Sequence, residues 1–272
     1  MDSESHLSVF DREMRLRGFR PATQETYHYY LARFLREFGD RDHPKNINEE
    51  EIKEKLDLIG MRSKCELKQT IGAAKFFWGE VLHQPRKLIH VQYPIWHQKL
   101  PEVIDRKVLA ERIQKIEDVR DRAIVSTFFD TGIRLNELCH LKVSDIPKDR
   151  PIIIVREGKG GKDRIVPRTR ELREILGEYW LQDRPDDWLF PGEKLGNYIS
   201  PVTVQRITRD CVQAHPHQIR HSYATALLEK GTPLPIIQAI LGHKNITTTM
   251  RYLHVSNQAL QMVSSNLLEI AA

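Results

Sequence analysis

Residues 214–254, AHPHQIRHSYATALLEKGTPLPIIQAILGHKNITTTMRYLH, hold the densest concentration of chemistry in the chain. Ile219, Tyr223, Ala226 and Leu227 recur at helical spacing, so HQIRHSYATALLEKG is predicted to be a helix, and Arg220, three residues after His217, shares a face with it. Gly231 followed by Pro233 closes that helix, and PLPIIQAILGH reads as a second, shorter one ending at Gly242. His243 then projects from a turn. Thr247, Thr248 and Thr249 are expected to cap a third helix whose first turns carry Tyr252. His217, Arg220, His243 and Tyr252 together suit a phosphate ester under attack by a phenol. A guanidinium stays charged and binds phosphate oxygens in pairs, and an imidazole moves protons near neutral pH. Each piece alone is commonplace: HxxR is usually a surface pair, a His after Gly a helix cap, a Tyr in an amphipathic helix part of a core. Order and spacing together carry the weight.

Working upstream, SPVTVQRITRDCVQ leads into this stretch as a helix, and another runs from Thr169 to Trp180. Before them PIIIVREGKGGKDRIVP reads as a β-hairpin. Ile152, Ile153, Ile154 and Val155 form one β-branched run, Ile165 and Val166 another, and Gly158, Gly160 and Gly161 lie between. Lys159 rides on that turn. A nucleotide-binding P-loop would need a Ser or Thr after Lys162, where Asp163 stands, and a Gly where Arg156 stands. DRKVLAERIQKI and VRDRAIVSTFFDTG are helices, the second stopped by Gly132. TGIRLNELCHLKVSDI then sets Arg134 and Glu137 three apart at the head of another, with Leu135, Leu138 and Leu141 marking its buried side. Taken alone, Arg134 reads as an ion-pair partner for Glu137.

The first ninety residues are helical by pattern. GFRPATQETYHYYLARFLREFG places Tyr27, Tyr30, Leu31, Phe34, Leu35 and Phe38 on one face and stops at Gly39. NINEEEIKEKLDLIG is a second helix. SKCELKQTIGAAKFFWGEVLHQP is a third, its core side carrying Leu67, Ile71, Ala74, Phe77, Trp78 and Leu82. Lys64, Lys68 and Lys75 fall on another face of it, by default a solvated surface. LIHVQYPIWHQKLP, residues 88–101, cannot be a continuous helix because Pro94 and Pro101 interrupt it, which marks an extended linker.

Composition narrows the class. The chain has 272 residues, enough for one large or two ordinary domains, and a net charge of +5 that fits a nucleic-acid partner without demanding one. Charges of both signs are spread evenly, so any DNA binding must come from cations sorted onto faces. Cys65, Cys139 and Cys211 are widely spaced and odd in number, which encodes neither a disulfide framework nor a zinc site. A reducing cytoplasm is the expected compartment. No apolar run approaches a membrane span, and MDSESHLSVFDREMR is too acidic and polar for a signal peptide.

HxxR, then LGH, then a Tyr nine residues later, preceded by the TGIRLNEL phrase and the Lys-bearing hairpin, resembles the tyrosine recombinase (phage integrase) family, closest to its two-domain Xer-like type. RGFRPATQETYHYYLARFLREFG is similar, more loosely, to the family's helical core-binding domain. The resemblance implies a mainly α fold with a small β-sheet. A helical core-binding domain would span 1–90, a linker 91–102, and an α+β catalytic domain 103–272 with a tail helix at 256–270. It implies that Tyr252 attacks phosphorus, that Arg134 and Arg220 clamp the non-bridging oxygens, and that His243 donates to the same phosphate or holds the tyrosine. His217 would take the phenol's proton, with Glu137 as its partner and as support for Arg134. Lys159 would protonate the leaving 5′ hydroxyl, and Lys64, Lys68 and Lys75 would lie against DNA phosphates. The product of attack would be a 3′-phosphotyrosine, formed without ATP or metal. The partner is double-stranded DNA with specific sites, bound by a homotetramer on two duplexes. In the tail, Leu260, Val263, Leu267 and Ile270 form an apolar stripe expected to dock on a neighbouring subunit. The rivals are a monomeric type IB topoisomerase, which shares the chemistry, and a DNA-binding relative that has lost cleavage. The small N-terminal domain and the tail favour the recombinase over the first, and retention of all six polar positions argues against the second.

Overall fold

The structure, a computed structural model, describes residues 3–39, 43–95, 102–156, 163–194, 196–243 and 245–250. The chain divides into two units, Met1–Gln98 and Lys99–Ala272.

The first unit is helical. α1 (Ser3–Leu16) lies in a segment that the sequence reading left unassigned; Phe10 and Met14 on its inner face are fully buried. α2 (Pro21–Arg36) begins with a proline, whose missing N–H is one of those a helix start leaves unpaired anyway, and buries Leu31, Phe34 and Leu35. α3 (Glu49–Arg62) opens on a reciprocal cap, Asn48 accepting from the Glu51 N–H at 2.8 Å while the Glu51 carboxylate accepts from Asn48. α4 (Lys64–Phe76), capped by Ser63, does not continue as the single long helix expected. It widens into one π-turn, Phe77–Val81, with the Leu82 N–H reaching back to the Phe77 carbonyl at 3.0 Å. Phe77 and Trp78, consecutive in this wider turn, are both fully buried. On the outer side of α4, Lys64 and Lys68 are exposed, and the Lys75 ammonium sits 5.2 Å from the centroid of the Tyr93 ring. Residues 91–95 form neither helix nor strand.

The second unit is built around α6 (Val119–Thr131). Asp118 caps its start, and Gly132 ends it in the left-handed conformation at φ 60°. α6 buries Ala123, Ile124, Val125 and Phe128 and packs against α5 (Arg106–Gln114), α8 (Arg170–Asp183), α9 (Pro201–Val212) and α10 (Pro216–Glu229). The short α7 (Leu135–Cys139) follows, with Leu138 and the adjoining Leu141 buried as expected. The hairpin forms from β1 (Ile152–Val155) and β2 (Arg164–Pro167), antiparallel with Ile153 opposite Val166 and Val155 opposite Arg164. Ile153, Val155 and Val166 point into the core, whereas Ile165, on the opposite face of β2, is exposed.

α11 (Leu234–Leu241) ends at Gly242, φ 64°, and rests on α10 through Tyr223, Ala224, Ile237 and Leu241. α12 (Ile246–Met250) corrects one expectation. It starts at Ile246, so Thr247, Thr248 and Thr249 lie within it and do not cap it. Asn245, as good a capping residue by type, precedes it, and the Asn245 carbonyl accepts the Thr248 N–H at 3.1 Å. Lys159, Tyr252 and the tail helix expected at 256–270 lie outside the described residues.

Candidate active site

The end of a helix leaves its last carbonyls without intrahelical partners and partly negative. At the end of α11 three consecutive carbonyls are each taken by a different arginine. Arg164 Nε donates to the Ile240 carbonyl at 2.7 Å, Arg220 Nη2 to that of Leu241 at 2.7 Å, and Arg134 Nη2 to that of Gly242 at 2.6 Å. One helix terminus thus gathers guanidinium groups from α10, from β2 and from the residue capping α7. Gly242 is needed for this twice over. Its backbone is left-handed, and an added Cβ would come within 3.0–3.1 Å of the Arg164 side chain.

Each arginine has a second anchor. Arg220, on the buried face of α10, donates from Nη1 to the Gly132 carbonyl at 2.5 Å and is only 4% exposed. Arg134 and Arg164 converge on Glu137. Arg134 Nη1 meets Oε1 at 2.7 Å, and Arg164 holds both oxygens, Nη1 to Oε1 at 2.8 Å and Nη2 to Oε2 at 2.7 Å. The Arg134 backbone N–H donates to Oε2 as well, at 2.7 Å. Burial alone would raise the carboxyl's pKa. The hydrogen bonds and charge of Arg164, then those of Arg134, overcome this and hold it at about 2. The ion pair between Arg134 and Glu137 that the sequence offered as the plain alternative is therefore present, but it engages only part of the guanidinium. Glu137 makes no hydrogen bond to His217 among the described residues, contrary to expectation. Both its oxygens are occupied by arginines, so it braces those cations and not the imidazole.

The histidines stand around the same cluster. His217, near the start of α10, is solvent-accessible; partial burial, then the neighbouring His215 ring and the charges of Arg220 and Arg134, lowers its pKa. His215 caps the helix, accepting the His217 N–H at 3.4 Å, and the two rings stack with centroids 5.7 Å apart. His243 follows Gly242 directly, and its Nδ1 is 2.9 Å from the Thr249 hydroxyl of α12. Burial, then the neighbouring Arg220, Arg134, His221 and Arg164, holds the His243 pKa at about 3, so its ring is neutral at physiological pH.

Arg134, Glu137, His217, Arg220 and His243 are thus brought together. The sequence reading passed over two participants. His221 directly follows Arg220 and lies within electrostatic reach of His243. Arg164 carried a usable signal: strand alternation puts it on the same face of β2 as buried Val166, and a cation on an inward strand face needs a partner. Tyr223, the other tyrosine near the HxxR pair, is 6% exposed, its ring lies against Gly132, and burial pushes its phenol up to about 12. That environment suits a core residue and not a nucleophile.

Fold and cluster together define a helical catalytic unit able to hold a phosphate anion: three arginines fixed in place, a single carboxylate among them, and neutral imidazoles alongside. Comparison with known proteins assigns it. Residues 102–259 match the Phage integrase family and residues 7–87 its N-terminal SAM-like domain. An integrase/recombinase of Sinorhizobium fredii is 31% identical over 269 residues, covering 93% of this chain and 85% of that protein. The tyrosine recombinase XerA of Pyrococcus furiosus is 32% identical over 280 residues, covering 97% and 94%. Among solved structures, the XerH site-specific recombinase bound to its difH substrate in a pre-cleavage complex superposes with a TM-score of 0.72 at 26% identity, covering 97% of this chain and 84% of that one. The chain belongs to the phage integrase family of tyrosine recombinases, enzymes of site-specific DNA recombination.

Proposed function

We propose that the chain cuts and rejoins duplex DNA at specific sites by attack of Tyr252 on a phosphodiester, leaving a 3′-phosphotyrosyl bond and a 5′ hydroxyl. Arg134 and Arg220 hold the two non-bridging oxygens as charge develops on the pentacoordinate phosphorus, and His243 donates a further hydrogen bond to them. His217 accepts the phenolic proton of Tyr252; a neutral imidazole is the form that can. Lys159 supplies the proton to the departing 5′ oxygen. Glu137 takes no part in proton transfer and keeps Arg134 in place. The phosphotyrosyl ester conserves the energy of the broken bond, so rejoining needs no ATP.

The first unit serves as the DNA-clamping domain, with Lys64, Lys68 and Lys75 against the backbone. Four copies act on two duplexes in the cytoplasm. The tail at 256–270 docks on a neighbouring copy. Absence of any helix long and apolar enough to cross a membrane among the described residues is compatible with this.

The observation that carries the proposal is the bracing of Arg134 and Arg220 around the end of α11, with His217 and His243 beside them. The test is to incubate the protein with a library of nicked suicide duplexes and sequence whatever becomes covalently joined to it. Wild type should yield adducts at a common site with a free 5′ hydroxyl. Tyr252→Phe should bind the same duplex and yield none. Adduct from the Phe variant would remove Tyr252 from the nucleophile's role.

A further inference from the structure

We infer that Thr249 is a positioning residue that sets the tautomer of His243, donating its hydroxyl proton to Nδ1 so that the ring carries its own proton on Nε2. A neutral imidazole has one N–H and one bare nitrogen, and a hydroxyl can satisfy either at Nδ1. If the Thr249 oxygen accepted from Nδ1–H, the other nitrogen would be bare and would repel a phosphate oxygen. With the hydroxyl donating, the ring's own proton is on Nε2, the donor form that the phosphate-holding role requires. This inference rests on the phosphate-holding role proposed for His243.

The geometry gives Thr249 the contact, and the phosphate-holding role gives that contact its direction. Thr249 is completely buried, and its Oγ1 is 2.9 Å from Nδ1, so no bulk water competes for the bond. Burial, and then the nearby charges of Arg220, Arg134 and Arg164, disfavour a doubly protonated ring, which would donate whatever Thr249 did. Tautomer choice is therefore what decides whether His243 donates or accepts. Thr249 also stands three residues before Tyr252.

The test uses the full chain labelled with ¹⁵N-histidine. Long-range ¹H–¹⁵N correlation spectra report the tautomer of each ring, and the His243 pattern is identified by its loss in His243→Gln. Wild type should show the Nε2–H form. Thr249→Val, close in shape, should show a mixture, and Thr249→Ser should restore the Nε2–H form. On the suicide duplex, Thr249→Val should cleave about tenfold more slowly, as expected for loss of one buried hydrogen bond that orients a donor, with DNA affinity unchanged; Thr249→Ser should recover most of the rate. A wild-type Nδ1–H pattern, or a pattern unchanged in Thr249→Val, overturns the inference, as does a shifted tautomer with no change in cleavage rate. Failure of the wild type to form any adduct would instead count against the cleavage chemistry, and the spectra would still decide the tautomer.

Discussion

Arg164 grips Glu137 with both arms of its guanidinium, at 2.8 and 2.7 Å, across the short span from β2 to α7. The pair is nearly sealed from solvent, with side-chain exposures of 10% and 7%. It helps to place Arg134, which bonds the same two carboxylate oxygens through its Nη1 and its backbone N–H.

Removing Arg164 strips a buried carboxylate of its two-armed partner and leaves the Ile240 carbonyl without its guanidinium. Arg164→Ala should destabilise the chain by about 3–5 kcal/mol, the range for breaking a buried ion pair. Arg164→Lys should recover only part of this, since an ammonium cannot form the fork or reach both groups in the same geometry. Urea denaturation of the three proteins measures it. An Arg164→Ala protein as stable as wild type would mean that the pair contributes little.

Gly132 is under a double constraint. Its φ is 60°, and a Cβ there would lie 2.4 Å from Tyr223 Cδ1. Gly132→Ala should cost about 1–3 kcal/mol. Because the Gly132 carbonyl receives Arg220, DNA cleavage should fall more than the stability loss alone explains. Adding Tyr223→Leu should relieve part of the clash. Thermal melts beside a cleavage assay at a temperature where all variants are folded distinguish the two effects.

A DNA substrate with sulfur in place of the 5′ bridging oxygen has a leaving group that needs little help from a proton. Lys159→Ala should cut this substrate far better than ordinary DNA, whereas Arg134→Ala, which loses oxyanion stabilisation of roughly 10²–10³-fold, should gain much less. Equal defects of Lys159→Ala on both substrates would exclude it as the acid. The same comparison on Lys162→Ala shows which of the two lysines acts.

Acid should destabilise the protein in two windows. His243 is held at about 3, below its ordinary 6.5, so the unfolded chain takes up a proton there first and stability falls as pH drops from 6.5 towards 3. Glu137, ordinarily 4.5, is held at about 2; its contribution is complete above 4.5 and is lost as pH falls through 2. Between pH 6.5 and 4.5 the histidines carry the slope. His243→Gln should therefore flatten the stability profile in that interval and, below 4.5, leave only the part of the drop that Glu137 carries, as read by urea titrations at successive pH values. An unchanged slope between 6.5 and 4.5 would contradict the depressed pKa of His243.

Much of the molecule could be read from the chain alone, because the relevant signals are local. Apolar spacing marks most of the helices where the structure has them, and Asn48, Ser63 and Asp118 cap three of them. A β-branched run on either side of a Gly-rich turn is enough to specify the hairpin. The order of HxxR, LGH and the upstream Arg134 phrase identified the family. α1 was missed for an equally local reason: Leu7, Phe10 and Met14 have helical spacing, but charged neighbours interrupt the pattern, and only packing against the rest of the unit reveals a buried face.

Tertiary structure decided which groups meet. That α11 ends where three arginines from separate elements converge depends on how α10, α7 and β2 pack, and no spacing in the chain encodes it. Strand alternation could place Arg164 inward, but only the folded chain brings it to Glu137 and so takes that carboxylate away from His217. Likewise, three threonines in a row look like a helix cap by residue type. In the folded chain they lie within α12, where Thr249 is buried with its hydroxyl against the ring of His243. Helices and turns follow from bonds made within a few residues. An active site follows from contacts between residues as far apart as Arg134 and Gly242, which the chain closes only when the core between them has formed.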